Sequence, residues 1–518
     1  MTAQSLSFVV VGYFYRLALL PGEYGLLLRP ACRSTAISFP PPFINNSFIE
    51  LCCLIHEECM NFQLLIADLL ANVNAIVWGP ITLCLLVGTG LYLTIRLKLI
   101  QVFRLPLALK LLFKPASGKG DLSSFAALCT ALSATIGTGN IVGVATAIKI
   151  GGPGALFWMW LAAFFGMATK YAECMLAVKY RTTDARGQIA GGPMYYIERG
   201  LGLGWMAKLF AVFGVGVAFF GIGTFAQVNA ISDALTIAFH IPTWVTALVL
   251  TVLVAAVTLG GVKRIANVAQ RLVPTMALGY VLACVWILVA FSDQILPAFG
   301  LILESAFTPI SAAGGFLGAT VAQALQIGIA RGVFSNEAGL GSAPIAAAAA
   351  KTNEPVEQGL VSMTGTFFDT IIICTMTGLV LIITGVWSGE TAGAAMTSAA
   401  FASGGSALVG QYLVTVALVC FAFTTILGWH YYGERCWYYL MGDRGLRLYQ
   451  GLFLGLIAVG AFIQLDMIWL LADTVNGLMA IPNLIAIVGL RHVIHAETIR
   501  YFSKRESNEM DKAEAVAG

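Results

Sequence analysis

Charged residues are scarce in this sequence. Lysine plus arginine number 29 and aspartate plus glutamate 26 among 518 residues, so that 11% of the chain is charged and 58% is hydrophobic. Soluble domains carry roughly 25% charged residues, and a net charge of +3 leaves no basic surface for a nucleic acid. The composition therefore excludes a water-soluble enzyme, a disordered scaffold and a nucleic-acid-binding protein, and it predicts a chain that lies largely in a lipid bilayer.

Histidine and paired cysteine are lacking as well. The five histidines show no metal-ligand spacing, and no serine, histidine and acid form a catalytic set. Seven of the eleven cysteines lie singly in apolar runs, where cysteine acts as a small hydrophobic residue. These features do not favour an intramembrane enzyme, and we expect a protein that is not an enzyme.

Long apolar runs are the main feature that is present. A helix needs about 20 mostly apolar residues to cross the hydrocarbon layer. This length predicts an all-α membrane protein of about eleven transmembrane helices, at residues 76–96, 123–149, 153–179, 205–231, 242–260, 271–292, 316–350, 359–387, 406–435, 447–464 and 467–490.

Basic residues predict the orientation of these spans. The loops after spans one, three, five, seven and nine, together with the C-terminal tail, hold 23 basic residues, whereas the alternate loops hold only Lys149. Basic loops face the cytoplasm. We therefore expect an inner-membrane protein with a cytoplasmic C-terminus.

The first 59 residues do not follow this scheme. They hold no run long enough to cross a bilayer and carry Arg16, Arg29 and Arg33 on the predicted outer side. Met60 offers an alternative start. We expect residues 1–59 to be a mis-assigned start or a dispensable extension, residues 60–500 to form the functional domain and residues 501–518 to form a cytoplasmic tail. A genuine extracellular segment remains the alternative for residues 1–59.

Two spans contain helix-breaking sequences. Span two reads Ser-Ala-Thr-Ile-Gly-Thr-Gly-Asn at residues 133–140, and span seven interrupts its apolar runs with polar residues and glycines at 331–344. Because the two spans are five helices apart, they cross in opposite directions. Paired breaks at matching positions of two inverted repeats indicate the binding site of a transporter.

The first break has groups for both a cation and a carboxylate. The half-helix before it ends in the free carbonyls of residues 133–136, which carry partial negative charge, and the next half begins with the amides of residues 138–140, which carry partial positive charge. Asn140 can add a side-chain oxygen to the cation. The break is therefore predicted to hold Na⁺ and an amino acid without an ionised side chain.

Four motifs resemble the alanine/glycine:cation symporter family. The run GGPGALFWMWLAAFFG at 151–166 looks like the family signature, and the runs at 137–141, 191–196 and 335–339 are similar to it as well. The resemblance covers about residues 60–500. It implies sodium-coupled import of small neutral amino acids and the fold of the bacterial leucine transporter, with one peripheral helix before a core of five plus five helices in inverted repeats.

The resemblance also implies site residues. Span nine of this fold contributes paired hydroxyls to a sodium site, so the predicted Na⁺ ligands, including Asn140 from the break itself, are Ser133, Ile136, Asn140, Thr424 and Thr425. The predicted substrate contacts are Thr135, Gly137, Thr138, Gly139, Gln227, Phe334, Ser335, Asn336, Thr425 and Trp429.

The size and charge of the substrate follow from this set. Phe334 and Trp429 are expected to cap the site and exclude large side chains. No carboxylate is expected beside the first break, so the substrate ammonium is expected to meet oxygens of span seven or Gln227. Related members that prefer glutamine leave glutamine open as the substrate.

Ionisable residues inside the spans must pair or face water, since each unpaired charge costs about 2.5 to 3.5 kcal/mol or more. Lys170 and Glu173 lie on one helical face and are expected to form a local pair. Arg331 is expected to pair with Glu337, Asp369 or Asp473. Proton coupling through such a carboxylate is the main alternative to sodium, and a channel is a further one. The expected partners are the amino acid and the bilayer, with no nucleic acid and no obligate protein partner.

Overall fold

A computed structural model describes residues 65, 67–309, 318–404, 407–463 and 465–517. The chain divides into two compact units, residues 1–69 and 70–518. The predicted extension at residues 1–59 lies outside the described residues. The elements that follow belong to the second unit.

The described fold is almost entirely helical. The first helices are α1 (Pro80–Arg96), α2 (Ile100–Phe103), α3 (Leu105–Leu111), α4 (Ser124–Thr135), α5 (Val144–Gly151), α6 (Gly154–Lys179), α7 (Pro193–Leu201), α8 (Gly204–Phe220), α9 (Phe225–Phe239), α10 (Thr243–Thr258) and α11 (Gly261–Ala290). The later helices are α12 (Ile295–Phe307), α13 (Val321–Asn336), α14 (Ala343–Ala347), α15 (Pro355–Thr366), α16 (Thr375–Ile383), α17 (Gly393–Ser403), α18 (Ala407–Met441), α19 (Leu446–Gly460), α20 (Leu465–Gly489) and α21 (Arg491–Ala517).

Shorter elements connect these helices. The strands β1 (Thr182–Thr183) and β2 (Ile189–Ala190) form an antiparallel hairpin after α6. Two π-helical turns, Gly139–Gly143 and Phe367–Cys374, lie before α5 and between α15 and α16. π-helical turns inside helices often mark functional sites.

Fewer of the described helices than the eleven predicted are long and apolar enough to cross a membrane. Among the described residues, seven helices are long and apolar enough to cross a membrane, or eight if the bent pair Ser124–Thr135 and Gly139–Gly151 counts as one span. Thr243–Thr258 is a shorter apolar helix. The count of eleven therefore remains a prediction.

The first predicted break is confirmed. Helix α4 starts at the cap Ser123, whose hydroxyl accepts a hydrogen bond from the Ala126 amide, and it ends at Thr135 because Ile136 has extended backbone with ψ of 91°. The helical axis then turns by 54°. The interruption is narrower than the sequence suggested, since helical backbone resumes at Thr138.

The second predicted break is also confirmed, but it begins later than Arg331. Helix α13 continues through Asn336, and Glu337 then takes a left-handed conformation with φ of 54°. Gly339 and Gly341 have φ of 86° and 84°, values that glycine adopts without steric cost. The chain returns to helix only for Ala343–Ala347.

Several features differ from the predicted spans. Span four is interrupted at residues 221–224 between α8 and α9, and α12 and α17 lie in regions that were expected to be loops. Residue 500, the predicted limit of the functional domain, lies inside α21. Helix α6 is largely buried among the other helices, whereas most of α11 is exposed on the outside of the bundle.

Candidate functional site

The two breaks meet at Gly139. A Cβ atom at this glycine would lie 3.3 Å from Ser335 Cα and 3.5 Å from Phe334 Cδ1. The absence of a side chain therefore lets the turn after α4 approach the end of α13. Ser335 is buried with 1% exposure. The predicted contacts from spans two and seven are thus brought together by the fold.

Thr425 of α18 faces the first break. Its hydroxyl lies within hydrogen-bond range of the Ile136 carbonyl at 3.5 Å and of the Phe421 carbonyl of its own helix at 3.0 Å. A Cβ atom at Gly137 would overlap Thr425 Oγ1. The structure therefore brings Ile136, Gly137 and Thr425 to one place, as predicted.

Thr424 differs from Thr425. Its hydroxyl donates to the Phe421 carbonyl at 2.9 Å and contacts Met276 Sδ at 3.6 Å. These two described contacts are with α18 itself and with α11, and neither is with a residue of the break. Of the two predicted hydroxyls, that of Thr425 has a described contact with the break, and the role of Thr424 as a ligand remains a prediction.

Ser133 and Thr135 keep their hydroxyls within α4. Ser133 Oγ donates to Thr130 O at 2.8 Å, and Thr135 Oγ1 donates to Leu132 O at 3.4 Å. Helix α18 packs closely here, since a Cβ atom at Gly428 would lie 2.8 Å from Ser133 Oγ. The predicted role of Ser133 rests on its carbonyl, which the local hydroxyl bond leaves unaffected.

Asn140 closes the first break in this structure. Its Oδ1 accepts a hydrogen bond from the Gly137 amide at 2.9 Å. Its Nδ2 donates to Asp369 Oδ1 at 2.8 Å and approaches Cys374 Sγ at 3.3 Å. The oxygen that was predicted to bind the cation is thus held by the backbone of the break, and its role as a ligand remains a prediction.

The expectation that no carboxylate lies beside the first break is wrong. Asp369 lies in the π-helical turn Phe367–Cys374 and is fully buried. It accepts hydrogen bonds from Asn140 Nδ2, from Ser335 Oγ at 2.9 Å and from Thr370 Oγ1 at 2.8 Å. One carboxylate therefore joins both broken helices. The sequence signal was an acidic residue inside an apolar run, which indicates function, but the run does not reveal which break it faces.

Asn336 stabilises the second break. Its Oδ1 accepts from the Ala338 amide at 2.9 Å, and its Nδ2 donates to Thr370 Oγ1 at 3.1 Å. Because Thr370 also donates to Asp369, Asn336 belongs to the same hydrogen-bond network. The residue predicted as a substrate contact thus also fixes the end of α13.

Gln227 of α9 reaches the first break from another side. Its Nε2 donates to Thr138 Oγ1 at 3.1 Å. Its Oε1 is buried and has no hydrogen-bond partner among the described residues. A buried unpaired carbonyl oxygen costs about 1 to 3 kcal/mol, so a ligand that donates a hydrogen bond there gains that free energy.

Trp429 is held by the second break. Its Nε1 donates to Glu337 Oε1 at 3.0 Å, and Ser342 Oγ donates to Glu337 Oε2 at 2.5 Å. Trp429 is fully buried. Sequence analysis predicted the indole as a cap but did not identify its carboxylate partner.

Lys170 also holds the second break. Its Nζ donates to the Glu337 carbonyl at 2.9 Å and lies 3.6 Å from Glu173 Oε1. The predicted pair with Glu173 is confirmed, but Lys170 additionally caps the first carbonyl of the break. A buried ammonium thus stabilises the unusual backbone of Glu337.

Phe334 lies at the edge of a cavity of about 190 Å³. Arg331 lines the same cavity and forms a two-pronged ion pair with Asp473, with N to O distances of 3.1 Å and 2.9 Å. Among the three carboxylates considered for Arg331, Asp473 is therefore the partner. Gln323 and Ile150 also line this cavity, which we call the vestibule.

The oxygen atoms around the breaks suit a hard cation better than a transition metal. Among the described residues, no group of three or more His, Cys, Asp or Glu side chains can hold a metal ion. What the site offers is backbone carbonyls, hydroxyls, an amide oxygen and the Asp369 carboxylate.

Comparisons with known proteins agree with this architecture. The chain is 52% identical over 459 residues to the sodium/alanine symporter AgcS of Methanococcus maripaludis, covering 86% of this chain and 99% of that protein. It is 36% identical over 449 residues to the probable sodium/glutamine symporter GlnT of Bacillus subtilis, covering 86% and 92%.

A solved structure supports the fold. The crystal structure of MhsT in complex with L-phenylalanine matches with a TM-score of 0.51 at 13% identity, covering 74% of this chain and 99% of that one. This likeness shows a shared helical fold. The model of the sodium:alanine symporter family matches residues 63–515. This chain therefore belongs to the sodium:alanine symporter family and is an integral membrane transporter.

Proposed function

We propose that this protein imports small neutral amino acids, alanine and glycine, together with Na⁺ by alternating access around the two breaks. The observation that carries the proposal is the contact between the breaks at Gly139 and Ser335. It brings the ends of two interrupted helices to one buried place, where helix carboxyl ends attract cations and helix amino ends attract carboxylates.

Na⁺ is proposed to bind where α4 ends. Its ligands would be the carbonyls of Ser133 and Ile136 and the hydroxyls of Thr424 and Thr425, which are hard oxygen donors. The 3.5 Å separation of Thr425 Oγ1 and Ile136 O supports this assignment. Asn140 would join as a ligand by exchanging its bond to the Gly137 amide for one to the cation.

The substrate carboxylate is proposed to bind the backbone amides of residues 138–140. Its ammonium would donate to Gln227 Oε1, which is buried and without a described partner. Thr135, Ser335 and Asn336 would complete the site. This arrangement recognises the two charged groups that all neutral amino acids share.

The side-chain pocket is proposed to be small. Phe334 and Trp429 are bulky side chains that are buried, with 5% and 0% exposure, and their rings would limit the substrate side chain to a hydrogen or a methyl group. Glutamine is the second candidate, which is favoured by the 36% identity to a relative described as a probable sodium/glutamine symporter.

The orientation and domain limits belong to the same proposal. The 23 basic residues of alternate loops support an inner-membrane protein with a cytoplasmic C-terminus. The family match from residue 63 supports a transporter domain that starts near residue 60. Removing residues 1–59 should then leave uptake unchanged, and loss of uptake by correctly inserted protein would contradict a dispensable extension.

Uptake into proteoliposomes tests the proposal directly. Labelled alanine should accumulate when a Na⁺ gradient is imposed at constant pH, and should not accumulate when only a proton gradient is imposed. Competition by glycine, alanine, serine and glutamine then ranks the substrates. Accumulation driven by protons alone would contradict sodium coupling, stronger competition by glutamine than by alanine would contradict the small pocket, and non-saturating flux would indicate a channel.

A further inference from the structure

The far ends of the two broken helices are joined by a short backbone bridge. Leu122, just before α4, pairs in parallel with Ala350, just after α14. The Lys351 amide donates to Leu122 O at 2.6 Å, and the Leu122 amide donates to Ala349 O at 3.0 Å. These bonds lie outside any helix, so they hold together two segments that are distant in sequence.

The Arg181 guanidinium binds the backbone at this bridge. Its Nη1 donates to the carbonyls of Ala348 and Ala350 at 2.8 Å and 2.7 Å, and its Nη2 donates to those of Thr352 and Lys119 at 2.6 Å and 2.9 Å. A guanidinium has five N–H groups. Arg181 therefore directs four hydrogen bonds to backbone carbonyls beside the ends of both broken helices.

The hairpin that follows Arg181 is fixed on two sides. The Ile189 amide of β2 donates to Asp121 Oδ2 at 2.7 Å, which ties the hairpin to the start of the first broken helix. Arg435 of α18 pairs with Asp184 Oδ2 at 3.0 Å and donates to Gln188 Oε1 at 2.8 Å. Arg435 has 3% side-chain exposure and Asp184 has none, so solvent screens this pair little.

The bridge lies at the end of the broken helices opposite the vestibule. Ile150, at the end of α5, and Gln323, at the start of α13, both line the vestibule. From those points the first broken helix runs back to Leu122 and the second runs on to Ala350. The bridge therefore joins the two broken helices on the side of the breaks that is opposite the vestibule.

We propose that Arg181 and the hairpin β1–β2 act as a clasp that seals this side of the transporter and must release the Leu122–Ala350 bridge before substrate leaves. The clasp makes Arg181 a positioning residue, since it contacts helix ends and not substrate. This inference rests on the proposed transport function. It explains why a guanidinium, which can bind several carbonyls in one plane, lies where two half-helices end.

A cross-link tests whether the bridge must open. Leu122→Cys and Ala350→Cys place two thiols on paired strands, which lie about 5 Å apart and within the range of a disulfide. Oxidation of the double variant should abolish alanine uptake in proteoliposomes, and a reductant should restore it. Each single variant, treated identically, should keep its uptake. Full uptake by protein shown to be cross-linked would overturn the proposal.

Hydrogen exchange tests the role of Arg181 without any substrate. Arg181→Ala should speed amide exchange at residues 119–123 and 349–353 by about tenfold or more, since charge-assisted hydrogen bonds are lost from an equilibrium between closed and open forms. Arg181→Lys should give an intermediate rate, because lysine keeps the charge but not the planar fork. Arg264→Ala is the matched control, since Arg264 also donates to a backbone carbonyl, that of Ala256, but away from both breaks.

The two experiments distinguish a failure of the clasp proposal from a failure of the proposed transport function. If the wild type does not carry alanine, the exchange rates still report on the clasp. Exchange at both segments that is unchanged in Arg181→Ala, in protein that folds normally by thermal unfolding, would overturn the role of Arg181. Exchange that rises equally in Arg264→Ala would also overturn it.

Discussion

At the scale of single residues, Gln227 differs from the other polar side chains at the breaks. Gln227 Oε1 lacks a described partner, whereas Trp429, Asn140 and Ser335 are each bonded to a carboxylate. A buried polar group without a partner costs free energy that a ligand can recover. Gln227 is therefore the side chain whose contribution to substrate binding is most directly measurable.

Replacing Gln227 by methionine tests that contribution. Gln227→Met keeps the length of the side chain and removes the amide, so the Kd for alanine should rise about 10- to 100-fold, as for a lost hydrogen bond to a charged group. Isothermal titration in the presence of Na⁺ measures it. Gln358→Met is the control, since Gln358 Oε1 is likewise buried and unpaired but its amide bonds Ser362 of its own helix. Equal effects of the two substitutions would contradict the assignment.

Asp369 is the second residue whose role can be measured. Its described hydrogen bonds come from neutral donors, Asn140, Ser335 and Thr370, so a cation bound nearby would balance its charge. Asp369→Asn should raise the Na⁺ concentration for half-maximal alanine uptake about tenfold or more.

A titration of uptake against Na⁺ checks the Asp369 prediction. The control is Asp293→Asn, because Asp293 is exposed and bonded to the neighbouring Gln294. An unchanged Na⁺ dependence in Asp369→Asn would show that the carboxylate serves only to hold the two broken helices together.

At the scale of elements, the breaks depend on backbone that passes close to neighbouring helices. Gly137 faces Thr425 of α18 and Gly139 faces the end of α13. The second break needs positive φ at Glu337, Gly339 and Gly341, and its first carbonyl is held by Lys170 of α6. Each break is thus supported by a different part of the surrounding helices.

Gly137→Ala should impair transport much more than Gly143→Ala. A methyl group at residue 137 overlaps Thr425 Oγ1, whereas one at residue 143, at the end of the π-helical turn Gly139–Gly143, meets nothing within 4 Å. Overpacking costs about 1 to 3 kcal/mol, here at the predicted Na⁺ ligand. Uptake rates and thermal unfolding of both variants check this. Similar uptake by both would mean that the contact with Thr425 is unimportant.

At the scale of the whole molecule, the two ends of the broken helices differ. One end opens on a vestibule of about 190 Å³ beside Phe334, Arg331 and Asp473. The other end is joined by the Leu122–Ala350 bridge. Alternating access requires these two conditions to exchange, so that the vestibule closes when the bridge opens.

The Arg331 and Asp473 pair is expected to hold the vestibule side during that exchange. Arg331→Asp alone and Asp473→Arg alone should each reduce alanine uptake strongly, because each leaves two like charges that face one another at about 3 Å. The double variant with exchanged charges should recover part of the uptake. If the double variant takes up no more alanine than either single variant, the double-mutant cycle shows no coupling between Arg331 and Asp473, and the proposed role of the pair is wrong.

Much of this organisation could be predicted from residue patterns. The breaks at residues 133–140 and 331–344 follow from glycines and polar residues inside apolar runs, and their locations are confirmed with shifted limits. Span boundaries were less predictable, because α11 continues through Arg271 and span four is interrupted at 221–224. Hydropathy measures the free energy of transferring side chains out of water, and it contains no information on where a neighbouring helix allows a break.

The sequence alone determined the class of protein, the two broken helices and the family, because hydropathy, glycine spacing and a motif of consecutive residues are local properties of the chain. Only the tertiary structure decided which side chains meet across these helices. Asp369 reaches Asn140 over 229 positions, Arg331 pairs with Asp473 and Arg181 reaches Ala348 and Lys119. Such pairings depend on how the helices pack in space, and they cannot be predicted from the spacing of residues along the chain. The scarce charges that first identified a membrane protein thus obtain their partners from the fold.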